Sequence, residues 1–321
     1  MTSKFREIER ERAVGLINKR SPVFYGGAAG VVYRKKERDF ILKQNQYNIY
    51  EPFRNDVIKY FKQNSIKWWG GKEPTGHVLS SQIACINHLF QIRNDKDAVL
   101  TIINNVSNSF IDVMPIVTDK FNPAYIQFEA VSDHNNLREE NLSRGNNCTS
   151  IDALILALHK DGSKWLIPVE WKYTEYYHNQ NKAIEGFKVD PVNCKGEVRK
   201  RRYTDLINKS IQLKSVDHAC FYYEPFYQLM RQTLWAEQMI LNKESETIKA
   251  DYFLHLHVIP EENKDLLMKK YKCSGADMET TWRNQLKDQS KYQIISPKAL
   301  LHGIDSTKYQ RLLEYLSVRY L

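Results

Sequence analysis

The sequence predicts one α/β domain with helical extensions at both ends. Three observations carry that expectation. Strand-like runs concentrate between Val99 and Trp171, helical rhythm governs the first and last stretches, and no Gly/Ser linker, low-complexity tract or internal repeat divides the chain. The 321 residues suffice to bury a sizeable core without help from disulfides. With 42% hydrophobic and 26% charged residues, the composition is that of a folded chain and excludes disorder and collagen-like repeats.

Taken in order, Lys4 to Lys19 carries Phe5, Ile8, Val14 and Ile17 at near-helical spacing and reads as a surface helix. Tyr25 to Gly30 is glycine-rich but lacks both the GKS/T ending and the GxGxxG spacing of phosphate loops, so it reads as a turn. Pro52 opens a helix through Phe53, Val57, Ile58 and Phe61 that closes in the loop Trp68 to Gly71. Ser80 or Ser81 caps the next helix, whose apolar face holds Ile83, Ile86, Leu89 and Phe90. Strands are expected at Val99–Ile103, Ala124–Val131, Ser150–Leu158 and Trp165–Trp171. A helix over Pro225–Leu241 and a strand over Tyr252–Ile259 follow, and helical rhythm returns from Pro297.

Lys plus Arg number 47 against 38 Asp plus Glu, and the resulting charge of +9 favours a polyanionic partner. No apolar run approaches the roughly 18 residues of a membrane span, and Met1 to Arg12 is too charged for a signal peptide, so a cytoplasmic protein is expected. The five cysteines stand far apart with no CxxC spacing and are expected as reduced, structural thiols. Most of the 19 tyrosines are expected to fill the core rather than stack on bases.

The chemistry concentrates in two apolar strands that contain charges. Asp152, Glu170 and Lys172 stand where an unpaired charge costs several kcal/mol in desolvation, so each needs compensation. Lys160-Asp161-Gly162 suits a three-residue hairpin loop with Gly162 in the left-handed region, pairing His159 with Ser163. In that register Asp152 lies opposite Glu170, and the period of two puts Lys172 on the same face. A two-residue loop would send the carboxylates to opposite faces, so the register depends on the loop type. Facing carboxylates repel, and a shared proton, a nearby cation or a divalent metal resolves the repulsion. Either a Mg²⁺ or Mn²⁺ site or a buried Asp/Glu/Lys network joining two strands satisfies this pattern.

Ser150-Ile-Asp-Ala-Leu-Ile, a glycine turn and Ile167-Pro-Val-Glu-Trp-Lys-Tyr-Thr-Glu175 resemble the PD-(D/E)xK nuclease superfamily, with its Asp at the start of a central hairpin and its ExK on the following strand. The resemblance covers Ser80 to Ile259 by element order. It implies a restriction-endonuclease-like core, a mixed central β-sheet flanked by helices, spanning residues 71–260. An N-terminal extension at 1–70 and a C-terminal helical extension at 261–321 pack on it as one globular unit. Ser81-Gln82, Gln228 and Arg231 also resemble features of a poorly characterised bacterial branch. Ile151 departs from the superfamily's Pro, and Pro168 sits in a strand that should be central, which suggests a bulge or a late strand start.

By this resemblance Asp152 and Glu170 bind the metal, Mg²⁺ or Mn²⁺, the carbonyl of Trp171 completes the protein ligands, and Lys172 orients or activates the attacking water. Glu129, Gln82, Gln228 and Arg231 are possible supporting residues, although Glu129 also reads as an edge or surface glutamate. The implied activity is metal-dependent hydrolysis of phosphodiesters, in DNA before RNA. The alternative is a non-catalytic nucleic-acid-binding protein that retains the fold. The basic run Lys195, Arg199, Lys200, Arg201 and Arg202 is expected as a loop that either follows a nucleic-acid backbone or is merely solvated. Arg34 to Arg38 is similar but read as solvated. His255 and His257 have HxH spacing on a strand expected to be partly exposed, and no third zinc ligand is evident from the sequence.

Overall fold

A computed structural model describes residues 3–33, 35–69, 71–117, 123–139, 142, 144, 148–215 and 220–320. Arg34 and Gly70, named above, lie outside them. Strands β1 (Ala29–Tyr33) and β2 (Lys36–Leu42) form a separate hairpin, and β4 (Ile116–Val117) pairs β5 (Pro123–Ala124). The central sheet has seven strands: β3 (Phe110–Met114), β6 (Ile126–Ala130), β7 (Ile151–His159), β8 (Lys164–Trp171), β9 (Tyr252–Phe253), β10 (His255–Val258) and β11 (Tyr292–Ile295). Strand β7 is antiparallel to β3, β6 and β8, whereas β10 runs parallel to β8 and β11. The sheet is therefore mixed.

The helices are α1 (Lys4–Asn18), α2 (Arg54–Gln63), α3 (Ser81–Leu89), α4 (Lys96–Asn104), α5 (Lys195–Lys209), α6 (Phe226–Leu241), α7 (Lys264–Leu267), α8 (Met278–Arg283), α9 (Pro297–Leu300) and α10 (Gln310–Tyr320). None is long and apolar enough to cross a membrane. Two hydrophobic clusters cover the two faces of the sheet. Ala153, Ile155, Ala157, Ile167 and Val169 join one with residues of α1 to α4 and α10, while Leu154, Leu156 and Leu166 join the other with residues of α5, α6 and α8. The strand period of two thus sorts the hairpin between two cores.

The hairpin has the three-residue loop. His159 N–H donates to Ser163 O (2.9 Å), Gly162 N–H donates to His159 O (2.9 Å), and Gly162 has φ of +84°. Ala153 pairs with Val169 and Leu158 with Lys164, the register that sets Asp152 against Glu170. Pro168 neither bulges the hairpin nor delays the strand, since it pairs with Leu154 in unbroken register. Its missing N–H points to the opposite neighbour. There Lys172 N–H donates to Val258 O (2.9 Å), and stepping back two residues at a time along the parallel ladder brings Pro168 to Leu254, where the partner strand is split into β9 and β10.

Several expectations need correction. Val99–Ile103 is helical: Asp95 accepts from the N–H groups of Asp97 (3.1 Å) and Ala98 (3.2 Å) as N-cap of α4, and Ala98, Val99, Ile102 and Ile103 are buried at helical spacing. The basic run is the start of α5 rather than a loop. Cys220 and Cys273 form a disulfide, whereas Cys85, Cys148 and Cys194 are buried outside any disulfide. The C-terminal segment, besides its helices, contributes β11 to the sheet. Its α10 is pinned by Arg319, whose guanidinium donates to Asn48 Oδ1 (2.9 Å) and Val78 O (2.7 Å).

At Gly162 the loop requires the left-handed backbone, and no described atom lies within 4 Å of an added Cβ. Gly162→Ala therefore meets only the backbone cost, and denaturant unfolding should show a loss of about 1 kcal/mol with an unchanged m-value.

Candidate active site

Asp152, Glu170 and Lys172 share the parity of Leu154 and Leu166 and so lie on the sheet face that α6 covers. They line one cavity of about 490 Å³ together with Gln82, Glu129, Trp171, Gln228, Arg231 and Gln232. Beyond Ala153 and Val169 the ladder opens, and Asp152 Oδ2 accepts from Trp171 N–H (2.7 Å) in place of a strand partner. The Trp171 side chain points into the other core, tilted against His88 at 4.8 Å, so this residue offers the site only its backbone. Lys172 donates to Glu170 Oε1 and to Gln228 Oε1 (2.7 Å), and its ammonium lies 5.8 Å from the Tyr177 ring centroid. Tyr177 Oη also donates to Gln228 (3.0 Å), fixing that amide between two donors.

Helix α6 reaches the trio through residues one turn apart. Gln232 Nε2 donates to Glu170 Oε2, and its Oε1 lies 3.0 Å from His255 Nε2. His255 is buried and burial lowers its pKa to about 4, so the ring is neutral and its Nε2–H orients the Gln232 amide toward Glu170. Gln232 is not among the residues expected from the sequence. Its spacing of four from Gln228 puts both amides on one helix face, and that was the available signal. Arg231 does not reach the trio. It pairs with Glu139 (3.3 Å) and donates to Thr149 Oγ1 (3.0 Å), while Glu139 also accepts from Tyr203 Oη (2.7 Å) of α5. This buried cluster ties α5 and α6 to the residue before Ser150.

Glu129 is buried and not a surface residue, although β6, which pairs with β7 alone among the described strands, is an edge strand as expected. Its carboxylate accepts from Gln82 Nε2 (2.7 Å) and Ser150 Oγ (2.8 Å), and its backbone has φ of +49°, a left-handed conformation that costs a non-glycine residue roughly 1–3 kcal/mol. Arg144 holds that kink by donating to the carbonyls of Glu129 (2.9 Å) and Phe128. The strand on either side keeps register, with Phe128 opposite Ala153 and Ala130 opposite Ile151. The kink places a further carboxylate on the cavity beside Asp152.

The histidines and the basic run fall elsewhere. His255 and His257 are both buried, not partly exposed, and His257 Nδ1 meets Tyr292 Oη at 2.9 Å. Among the described residues no three His, Cys, Asp or Glu side chains form a ready metal cage. On α5, Arg199 pairs with Glu185 (2.9 Å), Lys200 with Glu197 (2.7 Å) and Lys195 with Glu185 (3.7 Å). Arg202 sits 5.9 Å from the Tyr203 ring, and Arg201 is exposed.

A family model described as Restriction Endonuclease associating with ARP matches residues 6–321. The chain belongs to this family. No curated protein and no solved structure matches it. A member of a restriction-endonuclease family that gathers four carboxylates, Glu129, Asp152, Glu170 and Glu175, and one lysine at a single cavity must resolve their mutual repulsion. Burial raises the Asp152 carboxyl well above its usual range, and the neighbouring Glu170 and Glu129 add to the rise. Glu129 is raised too, first by burial, against the hydrogen bonds from Gln82 and Ser150. For Lys172, burial disfavours the ammonium most strongly of any one cause, but the combined attraction of Glu170, Tyr177, Glu175 and Asp152 outweighs it and holds the pKa well above that of ordinary lysine. That shift favours the ammonium form of Lys172.

The donor set suits a hard divalent cation. A carboxylate has about four lone-pair positions, so Glu170 retains acceptor capacity beside its bonds to Lys172 and Gln232. Asp152 and the adjacent backbone add further oxygen donors.

A raised carboxyl pKa stabilises the folded state most below the unfolded-state value near 3.9, and that contribution is lost as pH rises through the folded value. Asp152→Asn keeps the bond from Trp171 N–H but removes the titration. In metal-free buffer its melting temperature should match the wild type near pH 4 and exceed it by on the order of 2 °C at pH 8. An Asn variant that is less stable at pH 8 contradicts the assigned shift.

Proposed function

We propose that this protein is a metal-dependent nuclease of the PD-(D/E)xK type that hydrolyses phosphodiester bonds, with DNA as its substrate. The observation that carries the reading is the placement of Asp152, Glu170 and Lys172 on one sheet face at one cavity, with the lysine kept as an ammonium. Membership of a restriction-endonuclease family and the net charge of +9 support it. Asp152 and Glu170 would hold Mg²⁺ or Mn²⁺, with the Trp171 carbonyl as a third protein donor. Such an ion, when bound, lowers the pKa of its water and neutralises charge on the phosphoryl oxygens.

The residues of the chain divide the remaining work. Asp152 surrenders its proton when it acts as a ligand, so affinity for the ion rises with pH. Gln232 and Lys172 fix both oxygens of Glu170, which removes the rotational freedom of the carboxylate before binding. The ammonium of Lys172, steered by Gln228, faces the cavity where negative charge builds on the phosphorus centre and stabilises it there. Glu129 orders Gln82 and Ser150 at the opposite wall. The exposed Arg201 of α5 is a candidate phosphate contact, whereas Arg199, Lys200 and Lys195 are engaged with acids of the same chain. The other reading, a binder that keeps the fold without hydrolysis, accounts for the charge but leaves the buried trio without a task.

Lys172→Met keeps the approximate stem volume and deletes the ammonium. With Mg²⁺, hydrolysis of a generic DNA should fall by roughly 100-fold or more while DNA affinity stays nearly constant, because the interaction strengthens in the transition state. Cleavage assays beside binding and melting curves check this. Normal cleavage by the variant rejects the role of Lys172, and a wild type inert on duplex DNA, single-stranded DNA and RNA with both metals moves the assignment to the binder.

A further inference from the structure

The cavity has one wall that hydrolysis itself does not require. Trp69 lines it together with Asp152, Glu170 and Lys172, and the residue is 59% exposed. Its neighbour Trp68 is only 6% exposed and stacks on Phe61 at 3.8 Å with an interplanar angle of 11°. The core need for an indole at this turn is therefore met by Trp68. Among the described residues no other tryptophan is exposed. Exposing the largest apolar side chain at a polar rim forgoes burial that would stabilise the fold, so another return is expected from it.

Trp69 is also held in place. Its backbone N–H donates to Gln82 Oε1 (3.0 Å), and Gln82 Nε2 donates in turn to the Glu129 carboxylate (2.7 Å) that Ser150 also binds. The main chain from which the indole springs is thereby tied through a single side chain to the carboxylate wall. It meets His77 edge-on, at 6.0 Å and 81°, a contact that leaves an indole face uncovered. His77 is neutral, because burial, followed by repulsion from Arg6, lowers its pKa to about 4.

We propose that Trp69 is a stacking platform for an unpaired nucleobase next to the scissile phosphate, so that the site takes single-stranded or locally opened nucleic acid. The proposal rests on the nuclease reading for the scissile phosphate, but stacking itself is independent of hydrolysis. Two features favour an unpaired base. A cavity of about 490 Å³ has the size of a small-molecule pocket, not of a groove that seats a double helix. A base inside a duplex already has both faces covered by its neighbours, whereas an extruded or single-stranded base offers a face to an aromatic ring.

The test uses a short single-stranded oligonucleotide carrying 2-aminopurine and the same sequence as a blunt duplex. Binding is measured in EDTA, where no metal supports hydrolysis. The wild type should bind the single strand with a fall in 2-aminopurine emission. Trp69→Ala should lose that fall and roughly 10-fold in affinity, Trp69→Phe should recover most of both, and duplex affinity should change by less than about 2-fold. Trp69 is exposed, so these variants leave the core intact, and melting curves verify it. A Trp69→Ala protein that binds and quenches like the wild type overturns the proposal, as does an equal loss on both substrates or a wild type that binds neither. Hydrolysis with Mg²⁺ but no dependence of stacking on Trp69 sinks the platform alone. Trp69-dependent quenching without hydrolysis by Mg²⁺ or Mn²⁺ sinks the nuclease reading alone.

Discussion

Four carboxylates facing one buried ammonium under α6 set the terms for the rest of the molecule. Asp152, Glu129, Glu170 and Glu175 converge at the cavity, and Lys172 alone of the trio's groups brings a positive charge. A buried ion pair of this kind contributes little to stability by itself, because desolvation cancels much of the attraction. What it requires is that its charged groups find hydrogen-bond partners where they leave water. Gln82, Ser150, Gln228 and Gln232 meet them, each from a different position in the chain, and Trp171 N–H meets Asp152. The neutral His255 then fixes which end of Gln232 faces the acid.

The surrounding fold reads as the means of holding those partners. Helix α3 is capped by Ser80, which accepts from Ile83 N–H (3.4 Å), and so brings Gln82 to the first wall. Helix α6 brings Gln228 and Gln232 on one face while Leu229, Met230 and Leu234 bury against the sheet. Helix α1 is anchored near the end of the ExK segment, where Tyr173 Oη donates to Glu9. Glu129 adopts left-handed backbone in the middle of a paired strand, and Arg144 satisfies the carbonyls that the kink displaces. Strain concentrated at the cavity, with the ladder intact on both sides, is the pattern of a site whose geometry matters more than local stability.

The hairpin was legible in the sequence because its cues agree: a glycine turn, two apolar strands and charges at matching parity lead to one register. Segments with conflicting cues were not. Val99-Leu-Thr-Ile-Ile103 is rich in β-branched residues, and that masked both the Asp95 cap and the burial of Ala98, Val99, Ile102 and Ile103 at helical spacing. The start of α5 is so charged that it resembles a loop, whether solvated or following a nucleic-acid backbone, although Tyr203 and Ile207 stand one turn apart and are buried. Strands β3 and β11 are too short for period-two patterning to stand out. At the site, Asp152, Glu170 and Lys172 carried a motif, and Gln82 and Gln228 were singled out from a softer one. Gln232, His255 as its orienter and the kink at Glu129 depend on tertiary placement that no local pattern encodes. Cys220 and Cys273 are 53 residues apart, a separation that no local spacing pattern links.

As proposed above, Asp152 and Glu170 together would hold a hard divalent cation. Titration of Mn²⁺ into the full-length protein, followed by electron paramagnetic resonance of the free ion, measures it without any substrate. The account predicts binding by the wild type that strengthens as pH rises and disappears in both Asp152→Ala and Glu170→Ala, each still folded by its melting curve. Equal Mn²⁺ binding by the wild type and both variants, or no binding by the wild type at any pH at which it is folded, would contradict it.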